Sequence, residues 1–101
     1  MAMSRPSAFS SLELELRKAM AESLGIAGER LQGAIARYGA LQAELERTGD
    51  AATRQALDAA RLEMLKAREW LIIQREAIGL RRHDVVDEQF PLAAPRRHGL
   101  A

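Results

Sequence analysis

The feature that most constrains this chain is a pair of matched seven-residue series. Leu24, Leu31, Tyr38 and Leu45 recur at that spacing, and so do Leu57, Met64, Leu71 and Ile78. Between the two series lies Thr48-Gly49-Asp50. An apolar repeat of seven puts its members on one face of an α-helix that lies along another helix. Gly49 suits the left-handed position just past a helix end, and Asp50 suits the cap of the next helix. Folded about residue 51, the chain sets Leu24 level with Ile78, Leu31 with Leu71, Tyr38 with Met64 and Leu45 with Leu57. The alternate positions match as well, Leu41 near Ala60, Ala34 near Ala67 and Ala27 near Gln74. Small residues there let the two axes approach closely. The expected fold is an all-α antiparallel helical hairpin with long helices over about 11–47 and 51–80.

The ends follow from local chemistry. Ser10 and Glu13 have the spacing of a capping box, which predicts a helix start at Ser10. Leu12, Leu16, Met20 and Leu24 then recur every four residues along one face. Gly25 and Gly28 interrupt this helix, each at roughly 0.5–1 kcal/mol relative to Ala. The heptad phase runs through them unshifted, which favours one long helix over two, with 25–28 as the place where it could kink. Beyond Gly79 the pattern shortens to a brief C-terminal helix within 81–90, stopped by Pro91. Residues 1–9 read as a flexible lead-in, 10–90 as the hairpin domain and 91–101 as a tail.

A two-helix hairpin buries one stripe per helix, and so small a core comes out near energetic balance. The second helix also carries an adjacent stripe of Leu62, Leu65, Ile72 and Ile73, and Ile35 lies off the seam of the first. A second copy would cover these groups by completing a dimeric four-helix bundle. The C-terminal segment is the competing cover, with Val85, Val86 and Phe90 folding onto Leu16 and Met20.

Composition removes several classes of function. Fifteen basic residues against 14 acidic leave a net charge of +1, too little to make the whole chain a polyanion binder. The chain has no Cys, which excludes disulfides, thiolate metal sites and thiol catalysis. The longest run of large apolar residues is Trp70 to Ile73, far short of the ~20 residues of a membrane-spanning helix. The opening MAMSRPSAFSSL lacks the apolar region of a secretory signal, so the expected location is cytoplasmic. No phosphate-binding glycine loop, HExxH or serine-triad order is present, and no cofactor is expected.

Two groups of polar residues remain as candidates. Arg54, Arg61, Arg68, Arg75 and Arg82 form a ladder of seven-residue spacing along the flank of the second seam. Arg68, Arg75 and Arg82 have no acid three or four residues away. The ladder would meet an acidic protein surface or a second chain while its stems lie over apolar residues. Nucleic acid or another polyanion is the alternative ligand. Arg61, Arg68, Arg75 and Arg82 with Leu65 and Ile72 make the candidate interaction surface. His83, followed by Asp84 and Asp87, places an imidazole one turn from a carboxylate, but one His and one carboxylate do not fill a metal shell. On the flanks, Arg37 is placed to reach Glu63, and Arg30 to lie over Trp70. Glu69 and Glu76 read as solvated helix charges.

The stretch Trp70-Leu-Ile-Ile-Gln-Arg-Glu-Ala-Ile-Gly-Leu-Arg-Arg-His83, with Leu24-Gly25-x-Ala27-Gly28-Glu29-Arg30-Leu31 before it, resembles a family of short uncharacterised bacterial proteins, a domain of unknown function found chiefly in alphaproteobacteria. The similarity spans about residues 12–90 and ends after Phe90, where Pro, Ala and Arg predominate here. It implies a helical intracellular protein and makes Gln74, Arg75, Glu76 and His83 a set, a polar cluster at the open end of the hairpin. It lends no activity. The function expected from the sequence is that of a non-catalytic helical protein that self-associates as a homodimer and serves as an interaction or structural module. An enzyme centred on Arg75, Glu76 and His83 ranks behind the polyanion binder.

Overall fold

The computed structural model describes residues 8–92, and the side chains from Ser10 onward. The remainder of the expected lead-in and of the expected tail, residues 1–7 and 93–101, lies outside the described residues. Three helices follow in order: α1 over Ala8–Thr48, α2 over Ala51–Ala77 and α3 over Asp84–Gln89. There is no strand among the described residues. The two long helices pack against each other, and the hairpin is the fold.

The tight turn is built as its residues predict. Gly49 takes φ +63°, and its N–H donates to the Leu45 carbonyl at 2.8 Å, closing α1 with a single left-handed residue. The Asp50 carboxylate accepts from the Ala52 N–H at 3.1 Å and caps α2. The Thr48 hydroxyl joins the two, donating to the Glu44 carbonyl at 3.0 Å and accepting from the Asp50 N–H at 3.2 Å.

The core is one cluster of alternating sizes. Ala27, Leu31 and Tyr38 come from α1, Ala60, Met64, Ala67 and Leu71 from α2, and Val86 from α3. Leu24, Ala34, Ile35, Leu41, Leu57 and Ile72 pack against it from the edge. The three buried alanines lie between the large residues of the heptad seams and set the close approach of the axes. Leu31 is the one large side chain among the described residues with no exposure at all, and it lies in the same buried cluster as Leu71.

Several boundaries differ from the sequence reading. α1 begins by Ala8, so Ser10 lies inside the helix and is not its cap. It continues unbroken through Gly25 and Gly28 to Thr48. α2 stops at Ala77 rather than 80. There Gly79 adopts φ +89°, its N–H donates to the Glu76 carbonyl, and the Leu80 N–H reaches back to the Arg75 carbonyl at 2.9 Å. This six-residue closure reverses the chain and fixes the stop. The brief helix covers 84–89, a narrower span than 81–90, because residues 80–83 form the return loop.

Candidate interaction surface and the C-terminal staple

The reversal at Gly79 turns α3 back over the hairpin. Val86 is buried, and Phe90 and Leu92 pack on the core cluster. Phe90 lies directly over Gly28, whose missing side chain makes room for the ring: a Cβ placed there would stand 3.1 Å from Phe90 Cζ. The C-terminal segment therefore covers α1 around Leu24 and Gly28. Leu16 remains 55% exposed, so the expected fold-back onto Leu16 and Met20 is corrected by about two turns. Val85 is also left exposed, because a helix this short turns only one face inward and Val86 holds it.

Arg68 holds this segment in place. Its Nε donates to Asp87 Oδ1 at 2.9 Å and its Nη2 to Oδ2 at 3.1 Å, a parallel fork. The Arg68 hydrogen bond is the main reason the Asp87 carboxyl is held below its usual range. Arg75 Nη2 donates to the Arg82 carbonyl at 2.6 Å, and Arg82 Nη2 donates to Asp84 Oδ2 at 2.9 Å. The lower ladder thus has partners after all, in the chain's own return loop and α3. Sequence spacing along one helix cannot register acids that arrive 19 residues later through a reversed chain. Arg54 and Arg61, farther along α2, make no ion pair among the described residues and stand exposed.

The polar set divides. Glu76 and His83 come together, Oε2 to Nε2 at 3.4 Å, across the Gly79 turn. Gln74 instead faces α1, where its Oε1 accepts from the Ser23 hydroxyl at 2.7 Å. Ala27 was the neighbour expected for Gln74, and Ser23 lies one turn closer to the end of α1. Arg75 Nε and both ring nitrogens of His83 are covered without a hydrogen bond among the described residues. Glu63 pairs with Lys66 at 4.0 Å, not with Arg37, and no cation–π contact forms between Arg30 and Trp70.

Beside the staple lies an open cleft of about 470 Å³ lined by Leu24, Gly28, Gln32, Leu71, Arg75 and Phe90. It holds no nucleophile beside a base. No group of three or more His, Cys, Asp or Glu that could hold a metal occurs among the described residues. Among the described residues, no helix is long and apolar enough to cross a membrane.

Large apolar side chains are left uncovered at several places, Leu14, Ile26, Trp70 and Leu80 among them. On α2, Leu62, Leu65 and Ile73 are exposed, while Ile72 is partly tucked against the core. On α1, Leu12 and Leu16 are more than half exposed. The α2 stripe was expected from sequence; the exposed end of α1 follows from the unequal lengths of α1 and α2. Compared with protein families, characterised proteins and solved structures, the chain matches none of them.

Proposed function

We propose that the protein is a non-catalytic, self-associating helical module whose role is to bring copies of itself or a protein partner together. What supports this reading is apolar surface that the folded chain leaves unburied: Leu12, Leu16, Leu62, Leu65 and Ile73. The internal core is small, with Leu31 its one fully buried large side chain. A chain that leaves as many large apolar residues outside as it buries gains stability when a second surface covers them. Side-by-side pairing into a dimeric four-helix bundle would cover Leu62 and Leu65 only by also burying Asp58, Lys66 and Glu69, which interrupt that stripe.

The polyanion alternative loses its best anchors, because Arg68 and Arg82 are engaged by carboxylates and Arg75 by a carbonyl. A phosphate would have to compete with Asp87 for the same fork. Light scattering from about 1 µM to about 1 mM, the range of ordinary protein affinities, tests the proposal. A dimer population that grows within this range is expected. A monomer throughout overturns it.

A further inference from the structure

We infer that two copies meet tip to tip, the protruding N-terminal end of α1 in one pairing antiparallel with the same end of the other. This rests on the self-association proposed above and names the surface that carries it. α1 has 41 residues and α2 has 27. The difference of 14 residues is about 21 Å of helix at 1.5 Å per residue. The last hydrogen bond across the hairpin at that end is Ser23 to Gln74, and α2 stops three residues later, at Ala77. Toward its start α1 becomes exposed, with Leu16 at 55% and Leu12 at 63%.

The row that packs against α2 does not stop where α2 does. Leu24 lies against the core cluster, and Met20, Leu16 and Leu12 continue its row at four-residue spacing. Exposure rises along that row, from partly covered Met20 to 55% at Leu16 and 63% at Leu12. The free end is thus an extension of an established helix–helix interface with one partner missing. α3 does not supply that partner, because Val86 and Phe90 turn toward Gly28, away from the tip.

A second copy of α1 supplies the right length and direction. Antiparallel to the first, its tip lies in line with α2 and fills the missing stretch of about 21 Å. A two-fold axis at Leu16 sets Leu16 against Leu16 and Leu12 against Met20 twice over. Glu13 and Arg17 lie on one flank of the row, and within one chain they already approach to 3.7 Å. An axis perpendicular to antiparallel helices brings like flanks together, so Glu13 of each copy comes beside Arg17 of the other, and the two Arg17 side chains come equally near each other across the axis. Glu13, Glu15 and Glu22 against Arg17 and Lys18 leave the tip with mixed charge, a poor fit to a strongly acidic or basic partner. By contrast, the α2 outer stripe is broken by Asp58, Lys66 and Glu69. A patch about 21 Å long falls below the usual ~800 Å² per partner, so the dimer forms in the micromolar range or weaker.

The full chain has no Cys, so Leu16→Cys carries a single thiol at the proposed axis. Oxidation of that variant is expected to yield a covalent dimer with unchanged helicity by circular dichroism. Leu16→Lys is expected to raise the dissociation constant read by sedimentation at least about tenfold, while Leu65→Lys leaves it unchanged. Leu16→Lys should leave the monomer folded, since that side chain touches solvent rather than core. Dispersal by Leu65→Lys and not by Leu16→Lys overturns the tip contact and leaves self-association standing through α2. Dispersal by neither also overturns it. A wild-type monomer at all concentrations overturns both readings.

Discussion

Four glycines lie inside α1, and the structure separates them into three that stand in open space and one that does not. A Cβ added at Gly25, Gly33 or Gly39 meets nothing within 4 Å, whereas at Gly28 it meets Phe90 Cζ at 3.1 Å. Replacing an interior helical Gly by Ala stabilises by roughly 0.5–1 kcal/mol, largely by reducing the freedom of the unfolded chain. The triple variant at the open positions should therefore gain about 1.5–3 kcal/mol. For a chain of this size that corresponds to an upward shift in Tm on the order of 10 °C. Gly28→Ala gains the same backbone term and loses packing, because carbon atoms rest at about 3.5–4.0 Å and the ring must withdraw by a few tenths of an ångström. Phe90 caps the short α3, so its withdrawal loosens the docking of the whole segment. The expected net change for Gly28→Ala is near zero or destabilising.

The test is urea unfolding followed by far-ultraviolet circular dichroism, at one fixed chain concentration because association shifts apparent stability. Phe90→Ala supplies the second arm. In that background Gly28→Ala has nothing to strike and should recover its gain, giving a coupling of about 0.5–1 kcal/mol between the two sites. If Gly28→Ala stabilises as much as Gly25→Ala in the presence of Phe90, the ring does not sit over Gly28 and the account of how α3 docks fails.

Leu31→Ala should cost about 2–5 kcal/mol by the same unfolding assay, against less than about 0.5 for the exposed Leu62→Ala in the monomer; similar costs would mean that the central layer is misplaced. Gly49→Ala and Gly79→Ala force a side chain into φ of +63° and +89° and should each destabilise by about 1–2 kcal/mol, opposite in sign to the α1 series. Asp87 is held below its usual value of 3.8 by Arg68. A depressed carboxylate contributes above its unfolded pKa, so the Arg68–Asp87 fork is intact from about pH 4 upward and is lost as pH falls through the lowered folded value. Carbon NMR of the Asp87 carboxyl should show Arg68→Gln titrating at higher pH than wild type, and coincident curves would remove the fork.

The hairpin is legible because the contact that makes it has a period. Leu31 and Leu71 fall in one buried cluster, as the matched series requires, and Gly49 with Asp50 closes the turn by chemistry local to three residues. What lies beyond Gly79 has no period. Whether Val86 meets α1 at Leu16 or at Gly28 depends on the angle at which the chain leaves α2, set by the Leu80 to Arg75 closure and not by spacing. The arginine ladder shows the same division. Its regularity is visible on a helical wheel, but the fork from Arg68 to Asp87 crosses the reversal, and nothing in either local pattern announces the other. Ser10 misleads for a different reason: Ser inside a helix costs only about 0.5 kcal/mol, so a capping-box spacing marks a place where a helix can start and does not oblige it to.

The unequal lengths of α1 and α2 separate two questions that are easily merged. A helix of about 14 residues is marginal alone in water because its first turn is costly to form. The tip of α1 does not bear that cost, since the packed stretch from Leu24 onward nucleates it and each further residue adds a hydrogen bond. Helicity at residues 10–20 therefore requires no partner and says nothing about self-association. Burial of Leu12 and Leu16 does require a covering surface, because no other part of the described chain reaches them. Solvent access at these two side chains, and not helix content, is the quantity on which the tip contact depends.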